Sequence, residues 1–131
     1  MRLRLFPTLA APSEARRGLA PLAAELGDGR FADLRTVVSE LVAISVTHGA
    51  TTPIDLSLTL GEGAIEGSID DEGPGARAFV RARQRREDSL PVRIVESLVD
   101  EWGTNAEQTR IWFRMLTSGE HGSRSGVRPS W

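Results

Sequence analysis

The stretch Ile54-Asp55-Leu56-Ser57-Leu58-Thr59-Leu60-Gly61-Glu62-Gly63-Ala64-Ile65-Glu66-Gly67-Ser68-Ile69 decides the fold. Ile54, Leu56, Leu58 and Leu60 alternate with Asp55, Ser57 and Thr59, which is the period of a strand with one buried face. Gly61-Glu62-Gly63 allows only a tight connection, so Ala64 to Ile69 returns beside the first strand as an antiparallel hairpin. With a hairpin in the middle of the sheet, helices cannot cover both faces. The economical architecture is α+β: a mixed, mostly antiparallel sheet with its helices layered on one face.

Toward the N-terminus, Leu34, Val37, Val38, Leu41, Val42 and Ser45 recur at helical spacing and predict a helix from Phe31 to His48, closed by Gly49. Before it, Ser13 is placed to cap a helix from Glu14 to Leu26, with Pro21 marking a kink or a late start. Arg2 to Phe6 alternates as a first strand. Toward the C-terminus, Asp70 to Ser89 is rich in Gly, Arg and acidic residues and reads as a lid anchored by Phe79 and Val80 alone. A third helix is expected from Pro91 to Trp102 and a last strand from Thr109 to Leu116, with Ile111, Phe113 and Met115 inward. The order is β-α-α-β-β-lid-α-β. The segment 117–131, dominated by Ser, Gly, Arg and Pro, reads as a disordered tail.

At 131 residues the chain fits one domain, and 40% hydrophobic with 26% charged residues is ordinary for a soluble globular fold. A net charge of −2 gives no global reason to expect nucleic acid or an anionic membrane as partner. There is no cysteine, which excludes disulfide and thiol chemistry and is compatible with a cytoplasmic location. No apolar run approaches the roughly 20 residues that a bilayer requires.

Four local patterns fall on this order in sequence. Ser39-Glu40-Leu41-Val42-Ala43-Ile44-Ser45-Val46-Thr47-His48 resembles the N box of the anti-sigma-factor serine kinases, a branch of the GHKL (histidine kinase-like) ATPases. Asp71-Glu72-Gly73-Pro74-Gly75 is similar to the D-x-G-x-G box. Val92 to Gly103 resembles the helix after the G-x-G-L box, and Thr109 to Phe113 the closing T-x-V-W-F strand. The resemblance implies a Bergerat (GHKL-type) two-layer α/β sandwich over residues 1–116.

It also implies roles. Glu40 would orient or deprotonate the attacking hydroxyl. Asp71 would accept a hydrogen bond from the adenine amino group, Gly73 and Gly75 would let the backbone approach the base, and Thr109 would lie near the adenine edge. Val92 would sit in the phosphate-facing turn. ATP or ADP is the implied ligand. Two positions depart from the pattern. Ile44 stands where the family's Asn holds Mg²⁺, and a hydrocarbon side chain cannot coordinate a hard cation. Ser89-Leu90-Pro91-Val92 lacks both glycines of the G-x-G-L segment, and Pro91 removes an N–H donor.

His48 near the helix end reads as a dipole partner. Arg77, Arg81, Arg83, Arg85 and Arg86 read as a solvated lid, and Trp102 and Trp112 as core or sheet-face residues. The resemblance implies a cytoplasmic partner-switching regulator that binds a sigma factor, a STAS-domain antagonist or both, with Mg-ATP-dependent kinase activity impaired or absent. It leaves homodimerisation open. The alternative is an active serine kinase that phosphorylates a STAS-domain antagonist. Nucleic-acid binding through the lid arginines ranks below both.

Overall fold

The computed structural model describes residues 1–86 and 88–117, so the expected tail lies, beyond Thr117, outside the described residues. The chain runs β1 (Arg2–Leu5), α1 (Ala11–Gly18), a 3₁₀ turn (Ala20–Leu22), α2 (Ala23–Leu26) and α3 (Asp28–Thr47). The hairpin β2 (Ile54–Gly61) and β3 (Ala64–Asp70) follows, then α4 (Pro74–Arg85), α5 (Leu90–Leu98), β4 (Glu101–Thr104) and β5 (Arg110–Leu116).

The five strands form one sheet in the order β1-β2-β3-β5-β4, and every neighbouring pair is antiparallel. The expected mixed sheet is corrected on this point. The register aligns Leu56 with Ile69 and Ile69 with Ile111, and it aligns Leu58 with Gly67 and Gly67 with Phe113. Alternation then places Leu5, Ile54, Leu56, Leu58, Ile69, Ile111, Phe113 and Met115 on one buried face. The opposite face carries Arg4, Asp55, Glu66, Arg110 and Arg114, and there Arg4 pairs with Asp55 in the open. The helices cover the buried face only.

Helix α3 is the spine of that helical layer. Leu34, Val37, Val38, Leu41, Val42 and Ser45 are all buried, and Ile44 joins them. α1, α4 and α5 each pack against it. The expected helix Glu14–Leu26 is three pieces instead. Pro12 is favourable in a first turn and starts α1 early, which puts Ser13 inside the helix, and Pro21 falls in the 3₁₀ turn that divides the rest.

Two further expectations change. The segment read as a lid is mostly helix α4, with Gly75, Ala76, Ala78, Phe79 and Ala82 buried. Its small residues pack closely, and its arginines conceal the pattern in any average of hydropathy. The third helix stops at Leu98 instead of Trp102. Sheet pairing takes over there: Asp100 donates its N–H to the Arg114 carbonyl at 2.9 Å and accepts the Leu116 N–H at 2.7 Å. Trp102 therefore lies in β4. It meets Phe79 edge to face at 4.7 Å between ring centroids, and its Nε1 donates to Glu96 at 3.1 Å. Arg83 donates to the same carboxylate at 2.8 Å, so Glu96 joins α4, α5 and β4.

Gly67 lies under the aromatic part of the core. A Cβ there would collide with the Phe113 ring and come within 2.7 Å of Leu58 Cδ2. Gly67→Ala is expected to lower the unfolding free energy by about 1–3 kcal/mol through overpacking, as read by urea unfolding. An unchanged midpoint would mean that the two side chains have room to yield.

Candidate functional site

Where β3 ends, the chain turns on Asp71. This residue is 2% exposed, and its backbone N–H donates to the Thr109 carbonyl at 3.3 Å. Its Oδ1 accepts the Gly73 N–H at 2.8 Å and its Oδ2 accepts the Gly75 N–H at 2.6 Å. The carboxylate thus holds the first turn of α4 against the end of the sheet. Ser45 of α3 closes the other side, buried, with its hydroxyl donating to the Leu41 carbonyl at 3.4 Å. Gly75 fits between the two. A Cβ on it would lie 2.5 Å from Asp71 Oδ2 and 2.7 Å from Ser45 Oγ. The space left beside Asp71, among Leu41, Ile44, Ile69 and Ile111, is about 10 Å³. That admits one water at most.

A larger cleft of about 360 Å³ opens between α3, α4 and the start of α5. Ala43, Ile44 and Thr47 line it from α3 and His48 from just past its end, with Ala78, Arg81 and Ala82 from α4. Asp88, Ser89, Pro91 and Val92 complete it. Its floor is apolar and its polar groups lie at the rim. Ile44 lines both the cleft and the void beside Asp71, so its side chain is a wall between them.

The residues assigned by resemblance fall at one end of the sheet without converging on one space. Asp71 and Gly75 line the small void, whereas Val92 lines the cleft on the far side of Ile44. Gly73 is buried as an N–H donor to Asp71. Thr109 sits near Asp71, but its hydroxyl accepts from the Asn105 amide at 2.7 Å, and its N–H donates to Asn105 Oδ1 at 2.9 Å. Glu40 is half-buried on α3 and lies outside the linings of both the cleft and the void. The Val92 N–H, which would face a phosphate, donates instead to Ser89 Oγ at 3.4 Å, so Ser89 caps α5 as its residue type allows. No family model matches the chain, and no curated protein does.

The donor set does not fit a nucleotide with its metal. Asp71 faces a space far smaller than the roughly 300 Å³ at which small-molecule pockets begin. Ile44 offers only carbon, which does not ligate Mg²⁺. Among the described residues, no three His, Asp or Glu side chains cluster in a way that could hold a metal ion. Likewise, no helix among them is long and apolar enough to cross a membrane.

Ser45 and Asn105 are the residues that sequence reasoning passed over. Ser45 was assigned to a buried face without a role, although a buried hydroxyl on such a face is itself a signal of a specific contact. Asn105 ties the turn before β5 through Thr109 and the Arg110 N–H, and nothing in the spacing of the sequence marks it.

Asp71→Asn would set an amide NH₂ against one of the two N–H donors and leave that donor unsatisfied. The variant is expected to lose about 1–3 kcal/mol of stability in urea unfolding. Stability equal to that of the parent would contradict the structural role assigned to this carboxylate.

Proposed function

We propose that this chain is a regulatory, partner-binding domain similar to the anti-sigma-factor serine-kinase branch of the GHKL ATPases. On this reading it docks to a sigma factor or to a STAS-domain antagonist in the cytoplasm, and it does so without Mg-ATP-dependent phosphorylation. The ordered N-box-like, D-x-G-x-G-like and closing-strand patterns support the family assignment, as does an antiparallel sheet under one layer of helices.

The observation that carries the loss of chemistry is the position of Ile44. Its side chain is 6% exposed and separates Asp71 from the cleft at the start of α5. A nucleotide with its base at Asp71 and its phosphates at α5 would have to pass through this wall. Glu40 then has no phosphoryl group to act beside, whatever its basicity. A fold that keeps its helical layer packed while losing the nucleotide can still present a surface to a protein partner, because docking needs shape and side chains and no metal.

Calorimetric titration with ATP, with and without Mg²⁺, tests this reading. The expected result is no magnesium-dependent heat up to about 1 mM ATP, a threshold of about −4 kcal/mol in binding free energy. Micromolar, magnesium-dependent binding would overturn it, as would transfer of the γ-phosphate to a STAS-domain protein encoded beside it. A second consequence concerns the missing Asn. Ile44→Asn places an amide in an apolar wall and is expected to cost about 2–4 kcal/mol of stability without creating magnesium-dependent binding. Gain of that binding in the single variant would show that the wall alone had blocked the site.

A further inference from the structure

The cleft between α3, α4 and α5 has the attributes of a ligand site in its own right. Its volume of about 360 Å³ lies in the range of small-molecule pockets. Ala43, Ile44, Ala78, Ala82 and Val92 make its floor, so the body of an occupant has to be apolar. The small alanines leave the depth, and no polar group in the floor asks for a hydrogen bond.

The rim carries a cation, Arg81, and an acid, Asp88. Arg81 reaches the cleft from α4 and forms no ion pair among the described residues. His48 lies on the same rim, just past the end of α3. The acid on the rim, Asp88, is already matched by Arg93 at 2.9 Å. On the same helix as Arg81, Arg83 pairs with Glu96. Arg81 is therefore the rim cation placed to meet a negative charge on an occupant.

We infer that this cleft binds a small amphipathic monoanion, a carboxylate with an aliphatic or aromatic body. The body lies on Ala43, Ile44, Ala78 and Ala82, and the carboxylate meets Arg81 at the rim. The inference rests on the proposed function only in taking the cleft as free of Mg-ATP. It extends that reading by giving a partner-docking domain a small-molecule input beside α4.

The probes are octanoate, octanamide and acetate, added to the full chain and followed by amide chemical-shift changes in two-dimensional NMR and by calorimetry. Octanoate is expected to saturate, with the largest shifts at residues 43–48 and 78–82. Octanamide should bind about tenfold more weakly for want of a charge-assisted hydrogen bond, and acetate should not saturate. Arg81→Gln, a change at an exposed position that leaves the core untouched, should weaken octanoate about tenfold and leave octanamide unaltered. Ala43→Phe should abolish both by filling the floor. Octanoate that fails to saturate at millimolar concentration overturns the inference, as does equal affinity for octanoate and octanamide or shifts away from the cleft. Octanoate binding that micromolar Mg-ATP displaces would support the cleft as a site while overturning the nucleotide-free reading, so the two proposals fail separately.

Discussion

The carboxylate of Asp71, held by the N–H groups of Gly73 and Gly75, is the interaction on which the site's geometry depends. It fastens the end of β3 to the first turn of α4. It also lies on the Gly75 backbone, which presses against Ser45 of α3 too closely to admit a Cβ. Sheet, spine helix and α4 thereby meet at one point. A buried carboxylate satisfied in this way tolerates little change, because any lost partner leaves an expensive unpaired group.

From that point the rest of the helical layer follows. With its first turn fixed, α4 lies across α3 along its small residues, and its far half is tied down through Arg83, Glu96 and Trp102. The result is a packed helix in the segment whose composition suggests a lid. Ile44 completes the partition. One side of it holds a void of about 10 Å³ and the other a cleft of about 360 Å³, and the chemistry of the two spaces is different. The first is closed around a carboxylate, whereas the second is an apolar trough with Arg81, His48 and Asp88 at its mouth.

Much of this framework was legible in the sequence, for physical reasons that apply element by element. The hairpin at Ile54–Asp70 and the inward set Ile111, Phe113 and Met115 declare themselves because a half-buried strand must alternate. Helix α3 does so because a spine buried along most of its length needs a broad apolar stripe. α4 escaped because, Phe79 apart, its contact face is built from Gly75, Ala76, Ala78 and Ala82, which bury little hydrocarbon, while its arginines dominate the composition. β4 escaped because a short edge strand is specified by its partner: the bonds of Asp100 to Arg114 and Leu116 draw Trp102 out of the helix that precedes it. At the site, Ile44 and Pro91 were readable as departures from the pattern that the sequence resembles. That Asp71 would turn inward was not, since the same Asp-x-Gly-x-Gly serves a base-binding loop or a self-satisfied turn, and only packing against Ser45 separates them.

Amide hydrogen exchange at Gly73 and Gly75 tests the central claim most directly. If Asp71 locks this turn into the core, both amides exchange only through large-scale opening, with protection close to that of the α3 amides and indifferent to added Mg-ATP. Rapid exchange at Gly73 and Gly75 under conditions where α3 stays protected would contradict the account, because the turn would then be a loop that opens on its own. Protection that rises on adding Mg-ATP would contradict it as well, since the nucleotide would have to reach the space that the structure holds closed.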